Sequence, residues 1–124
     1  MASETITAPG DLKIGVDHGE DETVVRLSGR LNIDSSPALR DCLLAMLQRD
    51  SAKVVIVDLT ETPYIDLSGI ATLIEALKIA RNRNVTLRLQ GLHDYLLHFL
   101  EVTGLLPLFE GAGRATSESG SKVI

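Results

Sequence analysis

The sequence predicts an α/β fold, a single mixed β-sheet of four to five strands with helices mainly on one face. Three observations predict it. Apolar residues alternate with polar ones in short runs near residues 12–16, 23–29 and 85–89. Between and after those runs the apolar spacing switches to i, i+3, i+4, the stripe of an amphipathic helix. In the middle lies one unbroken β-branched run, Val54-Val55-Ile56-Val57. Strand, hairpin strand, helix, strand, helix, strand, helix is the order that results. Strands joined through helices need parallel, right-handed crossovers, and the opening hairpin makes the sheet mixed.

The elements follow in order. Residues 1–11 are polar, end near Pro9-Gly10, and read as a flexible leader. Leu12, Ile14 and Val16 alternate with Lys13, Gly15 and Asp17 as a half-buried strand. His18 to Asp21 is a polar surface turn, and Val25 and Leu27 mark one face of a second strand over Thr23–Gly29, so the two form a hairpin. Leu39, Cys42, Leu43, Met46 and Leu47 are the stripe of the first helix. Asp34, Ser35 and Ser36 offer N-cap oxygens there, and Pro37 suits the first turn, where its missing N–H costs nothing. Val54–Val57 reads as the central strand, buried on both faces, ending at Asp58, with Val24–Ser28 and Val85–Leu89 as its neighbours. A link over Thr60–Leu67 leads to a second helix starting near Ser68, with Ile70, Leu73, Ile74 and Leu77 inward. Val85, Leu87 and Leu89 alternate as the next strand. Leu92, Leu96, Phe99, Leu100 and Thr103 line a third helix, with Gly104 at its left-handed end. Leu108-Phe109 suggests a short edge strand. One domain over 12–110 is expected, followed by a flexible tail over 111–124 rich in Gly, Ser and Thr.

Composition narrows the function. The chain has 124 residues, 44% of them hydrophobic and 23% charged, with a net charge of −5, which suits one globular domain. Scattered Lys and Arg on an acidic chain exclude a nucleic-acid footprint, and four aromatic residues build no stacking platform. No stretch reaches the roughly 18 apolar residues of a membrane span, and the N-terminus carries no signal-peptide pattern, so a cytoplasmic protein is expected. Cys42 is the only cysteine, which excludes an internal disulfide and a cysteine-based zinc site.

Enzyme motifs are missing: no phosphate loop, no nucleophile elbow, no H-E-x-x-H. His93, Asp94 and His98 cluster at the start of the third helix, but the two histidines are five apart rather than four. They read as cap and solvated face, with Asp94 favouring the helix N-terminus. Asp58, Glu61 and Asp66 gather acids where the central strand ends, the place where function collects in open α/β sheets. Paired carboxylates there raise the reading of a small enzyme, yet no base-activated nucleophile accompanies them. Within Ile65-Asp66-Leu67-Ser68-Gly69-Ile70, Ser68 stands where the link turns into a helix. Its hydroxyl suits an N-cap. That is the commoner role for such a serine, but the same geometry admits a phosphoryl group, which would meet unpaired amides and the positive end of the helix dipole, with Gly69 keeping the approach open and Asp66 supplying a like charge.

Val25-Arg26-Leu27-Ser28-Gly29-Arg30-Leu31, then Val55-Ile56-Val57-Asp58-Leu59 through Asp66-Leu67-Ser68-Gly69, then Thr103-Gly104-Leu105, resembles the STAS domain, and more narrowly the bacterial anti-sigma-factor antagonists. The resemblance runs from about Leu12 to Phe109. It implies a STAS-like fold and a partner-switching protein with no catalysis of its own and no cofactor. Unphosphorylated, such a protein binds an anti-sigma factor that is also a serine kinase; phosphorylation of the serine before the glycine releases it, and a PPM-type phosphatase reverses the mark. That serine is Ser68 here, with Asp66 and Asp58 as its acidic neighbours. Two departures stand out. Leu67 replaces the usual hydroxyl residue before the acceptor, and Asn32 replaces an acid after the second strand. Recognition is expected on the helix from Ser68, the Thr60–Leu67 link and the Arg30–Ser36 loop, with Asp34, Glu61 and Glu75 as its charges, in a monomer or weak dimer. The rival reading is a STAS scaffold or transporter-accessory module that is not phosphorylated.

Overall fold

The computed structural model describes residues 2–49 and 53–112. One five-stranded mixed sheet has the order β1 (Ala2–Ala8), β2 (Leu12–His18), β3 (Glu22–Leu31), β4 (Val54–Ile65), β5 (Thr86–Gln90). The β1–β2 and β2–β3 pairs are antiparallel, and the β3–β4 and β4–β5 pairs parallel. Helices α1 (Ser36–Leu47) and α2 (Leu67–Asn82) make the two crossovers, and α3 (Asp94–Val102) and α4 (Leu106–Ala112) follow β5. Among the described residues no helix is long and apolar enough to cross a membrane.

Pairing fixes which residues make the core. Val16 lies opposite Val25, Val25 opposite Val57, and Val57 opposite Leu89, and all four are buried. Each fully buried side chain of this size contributes about 1.5–3 kcal/mol, so a one-residue slip of any strand would forfeit a whole row. The helices bring Leu39, Leu43, Leu47, Leu73 and Leu77 to this face. The other face is open: Asp17, Val24, Ile56 and Arg88 on it are half-buried. Val54–Val57 therefore does lie between the two strands expected, but Val54 and Ile56 face the open side, so the run is not buried on both faces.

Residues 2–8, expected in the leader, instead form the edge strand β1. Only Ala8 of Ser3–Ala8 is buried, so no apolar alternation announces it, although Thr5, Ile6 and Thr7 favour extended backbone. Gly10 and Asp11, at φ 77° and 66°, make the tight turn into β2. His18, expected at the surface, closes β2 with its side chain 15% exposed beside Arg49 Nη1, 3.0 Å away.

β4 does not end at Asp58. It runs beside β3 to Ile65 through two register shifts, opposite Arg26–Ser28 and Ser28–Arg30. Each shift adds one residue to β4, so its inward residues step from Leu59 to Thr62 to Ile65 instead of alternating. Thr62, buried, donates its hydroxyl to the Leu27 carbonyl at 2.9 Å, and Pro63 sits where a lost ladder bond is tolerated. The expected Thr60–Leu67 link is a bulged strand. Leu108-Phe109, expected as an edge strand, belongs to α4. Gly104 at φ 75° turns the chain back, Pro107 fits the first turn, and Leu105, Leu108 and Phe109 follow the helical period. Arg81 Nη2 donates to the Leu108 carbonyl at 2.9 Å and holds α4 to α2.

Candidate functional site

The site grows from the close approach of two chain ends. The Asp66 amide donates to the Leu31 carbonyl at 3.1 Å, so the end of β4 is clamped to the end of β3. From there α2 begins at once, and its N-cap is Asp66 rather than Ser68. Asp66 Oδ1 accepts the Ser68 amide at 3.0 Å, the Gly69 amide at 3.2 Å and the Ser68 hydroxyl at 2.5 Å. Ser68 is thus the second residue of the helix, half-buried, with its hydroxyl held by the capping carboxylate. Chiefly the Ser68 hydroxyl holds the Asp66 carboxyl below its ordinary value. Partial burial opposes it, and the amides of Gly69, Ser68 and Ile33 add to the lowering.

Gly69 does not serve to open an approach. It is buried, and a Cβ there would stand 2.7 Å from Leu31 Cγ and 3.0 Å from Ile65 Cγ2. The glycine lets the first turn of α2 lie directly on the β3 and β4 ends.

The neighbouring loop is built by Asn32. Its Oδ1 accepts the amides of Asp34 at 2.9 Å and Ser35 at 3.2 Å, and its carbonyl accepts the Ser36 amide at 2.8 Å. Ser35 is the N-cap residue of α1, yet its side chain makes no cap bond: it donates to the Arg30 carbonyl at 2.8 Å and accepts the Asn32 amide at 2.9 Å. The expected serine cap is absent: Ser35 is buried and turned toward β3, and the first helical amide, that of Ser36, goes to the Asn32 backbone carbonyl. Ser36 donates its hydroxyl to the Asn32 carbonyl at 2.7 Å and lies 3.3 Å from Ser68 Oγ. The first turns of α1 and α2 are therefore side by side.

The sequence-predicted residues divide into two groups. Asn32, Asp66, Leu67, Ser68 and Gly69 come together. Asp34, exposed, is in the same loop, packed where Gly10 leaves room: a Cβ on Gly10 would meet Asp34 Cβ at 2.9 Å. Asp58 and Glu61 are elsewhere. Asp58 alternates with buried Val57 and Leu59, so it faces the open side, where it accepts the Thr60 amide at 2.9 Å and the Thr60 hydroxyl at 2.6 Å. With Glu61, Arg26 and Ser28 it lines an open pocket of about 220 Å³. Glu75 is two turns along α2 from Ser68, bound bidentately by Arg40 of α1 at 2.9 Å for both contacts. It is a strut between helices, and Arg40 holds its carboxyl below the ordinary value. His93 is the N-cap residue of α3, with Nε2 2.8 Å from the Thr60 carbonyl. Among the described residues, no three or more His, Cys, Asp or Glu side chains form a group that could hold a metal ion.

Exposed apolar residues lie in the two segments expected for recognition, the Arg30–Ser36 loop and the stretch up to Leu67, although only Leu67 was singled out by name. Ile33 is 72% exposed and Leu67 69% exposed, on either side of Asp66. Tyr64, also exposed, lies beneath the Arg30 guanidinium at 4.5 Å from the ring centroid. The available signal was that Ile33 and Tyr64 fit neither a strand period nor a helical stripe. Exposed residues of this size clustered at one end of a sheet mark an interaction surface.

The family model described as Mlab, STAS domain, matches residues 14–109. The anti-sigma-B factor antagonist of Listeria monocytogenes is 31% identical over 90 residues, covering 73% of this chain and 78% of that protein. Among solved structures, an anti-sigma factor antagonist from Mycobacterium paratuberculosis superposes with a TM-score of 0.66 at 21% identity, covering 84% of this chain and 87% of that one. The phosphorylated form of the Bacillus cell fate determinant SpoIIAA superposes with a TM-score of 0.65 at 14% identity, covering 77% and 86%. At these identities the two structures speak for the fold alone.

Proposed function

This chain belongs to the STAS-domain family of anti-sigma-factor antagonists, and we propose that it acts as one, binding an anti-sigma factor that is also a serine kinase and leaving it when Ser68 is phosphorylated. The observation that carries the reading is the setting of Ser68. Its hydroxyl is half-buried, held at 2.5 Å by the carboxylate that caps its own helix, and framed by exposed Leu67 and Ile33. A partner that covers this patch also covers Ser68.

The switch then follows from charge. A phosphoryl group adds about −1.5 to −2 charges at pH 7. It displaces the proton that joins Ser68 to Asp66, so two anions face one another where the partner must dock. Moving a partner from about 99:1 bound to 1:99 at fixed concentration requires about 5.5 kcal/mol. Desolvating a dianion in a close apolar interface, with Asp66 repelling it, supplies a cost of that order. The fold is little disturbed, since Ser68 sits on the positive end of α2. In this reading the protein is a binding protein without catalysis of its own, and Asp58 and Glu61, away from Ser68, belong to a second contact or to none. A PPM-type phosphatase would restore the free hydroxyl.

Incubation with the anti-sigma factor of the same organism and ATP, followed by mass-spectrometric mapping, tests the proposal. Phosphate on Ser68 and loss of the complex are expected. Phosphate elsewhere, or none with an active kinase, overturns it in favour of an unphosphorylated scaffold or transporter-accessory module.

A further inference from the structure

We propose that Ser36, in the first turn of α1, donates a hydrogen bond to a phosphoryl group carried by Ser68, turning its hydroxyl from the Asn32 carbonyl onto the phosphate. The inference rests on Ser68 being the acceptor and adds a second residue to that site.

The protons can be counted. Ser68 has one hydroxyl proton, and the 2.5 Å contact with Asp66 Oδ1 takes it. Ser36 has one, and the 2.7 Å contact with the Asn32 carbonyl takes it. Both being spent, the 3.3 Å contact between the two hydroxyl oxygens carries no proton in the unmodified protein. Phosphorylation by ATP forms the Oγ–P bond, breaks the bond from Pγ to the leaving ADP oxygen and releases the Ser68 proton. Ser68 then has nothing to donate, and Asp66 faces an anion.

The new phosphate needs donors, and those nearest on its own helix are engaged: the Ser68 and Gly69 amides both point to Asp66 Oδ1. Ser36 is free to move its proton. Rotation about its Cβ–Oγ bond removes one donor from the Asn32 carbonyl, which keeps the Ser36 amide at 2.8 Å. No buried group is orphaned, and a neutral hydrogen bond is exchanged for a charge-assisted one. A phosphate oxygen on Ser68 reaches farther than Oγ itself, so the 3.3 Å gap is within its span. Ser36 is thus a positioning residue for the phosphorylated state, which it stabilises against the free one.

The test installs phosphoserine at position 68 during translation, so no kinase is needed, and follows the phosphate by 31P NMR against pH. Free phosphoserine loses its second proton near pH 6. Relative to the protein with Ser36 intact, the midpoint rises by about 0.5 pH in Ser36→Ala, because the donor that favours the dianion is gone. Ser36→Cys, a weak donor of near-equal size, moves the same way, and Ser36→Thr, which keeps the hydroxyl, does not. Thr72→Val leaves the midpoint unchanged, since the Thr72 hydroxyl binds the Ser68 carbonyl rather than its side chain. An unmoved midpoint in both Ser36→Ala and Ser36→Cys overturns the proposal, and so does an equal rise in Ser36→Thr or Thr72→Val. Failure of the kinase assay above would remove the acceptor role of Ser68 and leave this titration readable.

Discussion

Asp66 Oδ1 accepts the Ser68 hydroxyl at 2.5 Å with the same oxygen that caps the Ser68 and Gly69 amides. One atom therefore starts α2 and fixes the candidate phosphoacceptor, so the stability of the helix start and the placement of the Ser68 hydroxyl are coupled at a single carboxylate.

Removing that carboxylate tests the first half of the coupling. Asp66→Ala is expected to destabilise the fold by about 1–2 kcal/mol, and Asp66→Asn by less, because an amide oxygen still caps. The pH dependence has a definite sign. A carboxyl whose folded value lies below its ordinary value, here 3.8, contributes stability that is fully present above that pH. The contribution is lost as pH falls below it, through the folded value. The melting-temperature gap between wild type and Asp66→Ala should be constant from pH 7 to pH 5 and shrink below pH 4. A gap unchanged down to pH 2 would show that the charge is not what stabilises.

Gly69→Ala sets helix propensity against packing. Alanine gains about 1 kcal/mol in a helix, but its Cβ at 2.7 Å from Leu31 Cγ and 2.9 Å from Leu31 Cδ2 forces the core to shift, at about 1–3 kcal/mol. Net destabilisation of up to about 2 kcal/mol is expected, read from the urea midpoint at constant slope. The cost should be smaller in a Leu31→Ala background, where the clash is absent. A more stable Gly69→Ala protein would contradict the close approach.

Ser68→Ala loses the bond to Asp66 and should cost about 1 kcal/mol while binding the anti-sigma factor irrespective of ATP. Ser68→Asp should weaken that binding by at least tenfold. Its melting temperature should stay within about 5 °C of wild type, since helix dipole and Asp66 repulsion oppose each other at about 1 kcal/mol each. Calorimetric titration and a thermal scan of the same samples separate the two effects. Equal affinity in both variants would mean that charge at Ser68 does not control the partner.

The double variant Ile33→Ser, Leu67→Ser isolates the apolar patch. Both side chains are largely exposed, so the fold should not notice, whereas binding should fall by at least tenfold. Unchanged affinity would place the partner on another face.

Glu75→Gln removes the charge from a bidentate contact that is open to water on both sides. Exposed pairs contribute little, so a melting-temperature change of no more than about 2 °C is expected, and less in high salt. A larger loss would show that the α1–α2 pair depends on this strut.

Where burial and period coincide, the sequence alone determined the structure. The hairpin of β2 and β3, the inward rows of α1 and α2, the placement of Val54–Val57 between its two neighbours and the left-handed Gly104 all follow from local spacing and chirality. Ser68, Asp66, Gly69 and Asn32 were legible as a group because the motif and the loop preceding α1 carry them in order. Tertiary contact decided the rest. β1 is a strand only because β2 offers it an edge, and its own residues bury too little to show a period. The bulges of β4 convert an alternating pattern into steps of three, which reads as a loop unless β3 is beside it. Capping of α2 passed from Ser68 to Asp66, because two strand ends meet at Leu31 and Asp66 and leave that carboxylate nearest the free amides, and in α1 the first amide goes to the Asn32 carbonyl rather than to a serine side chain. Ser36 and Ser68, 32 residues apart, share a contact that local propensity does not encode, since it exists only where two parallel crossovers set their first turns side by side.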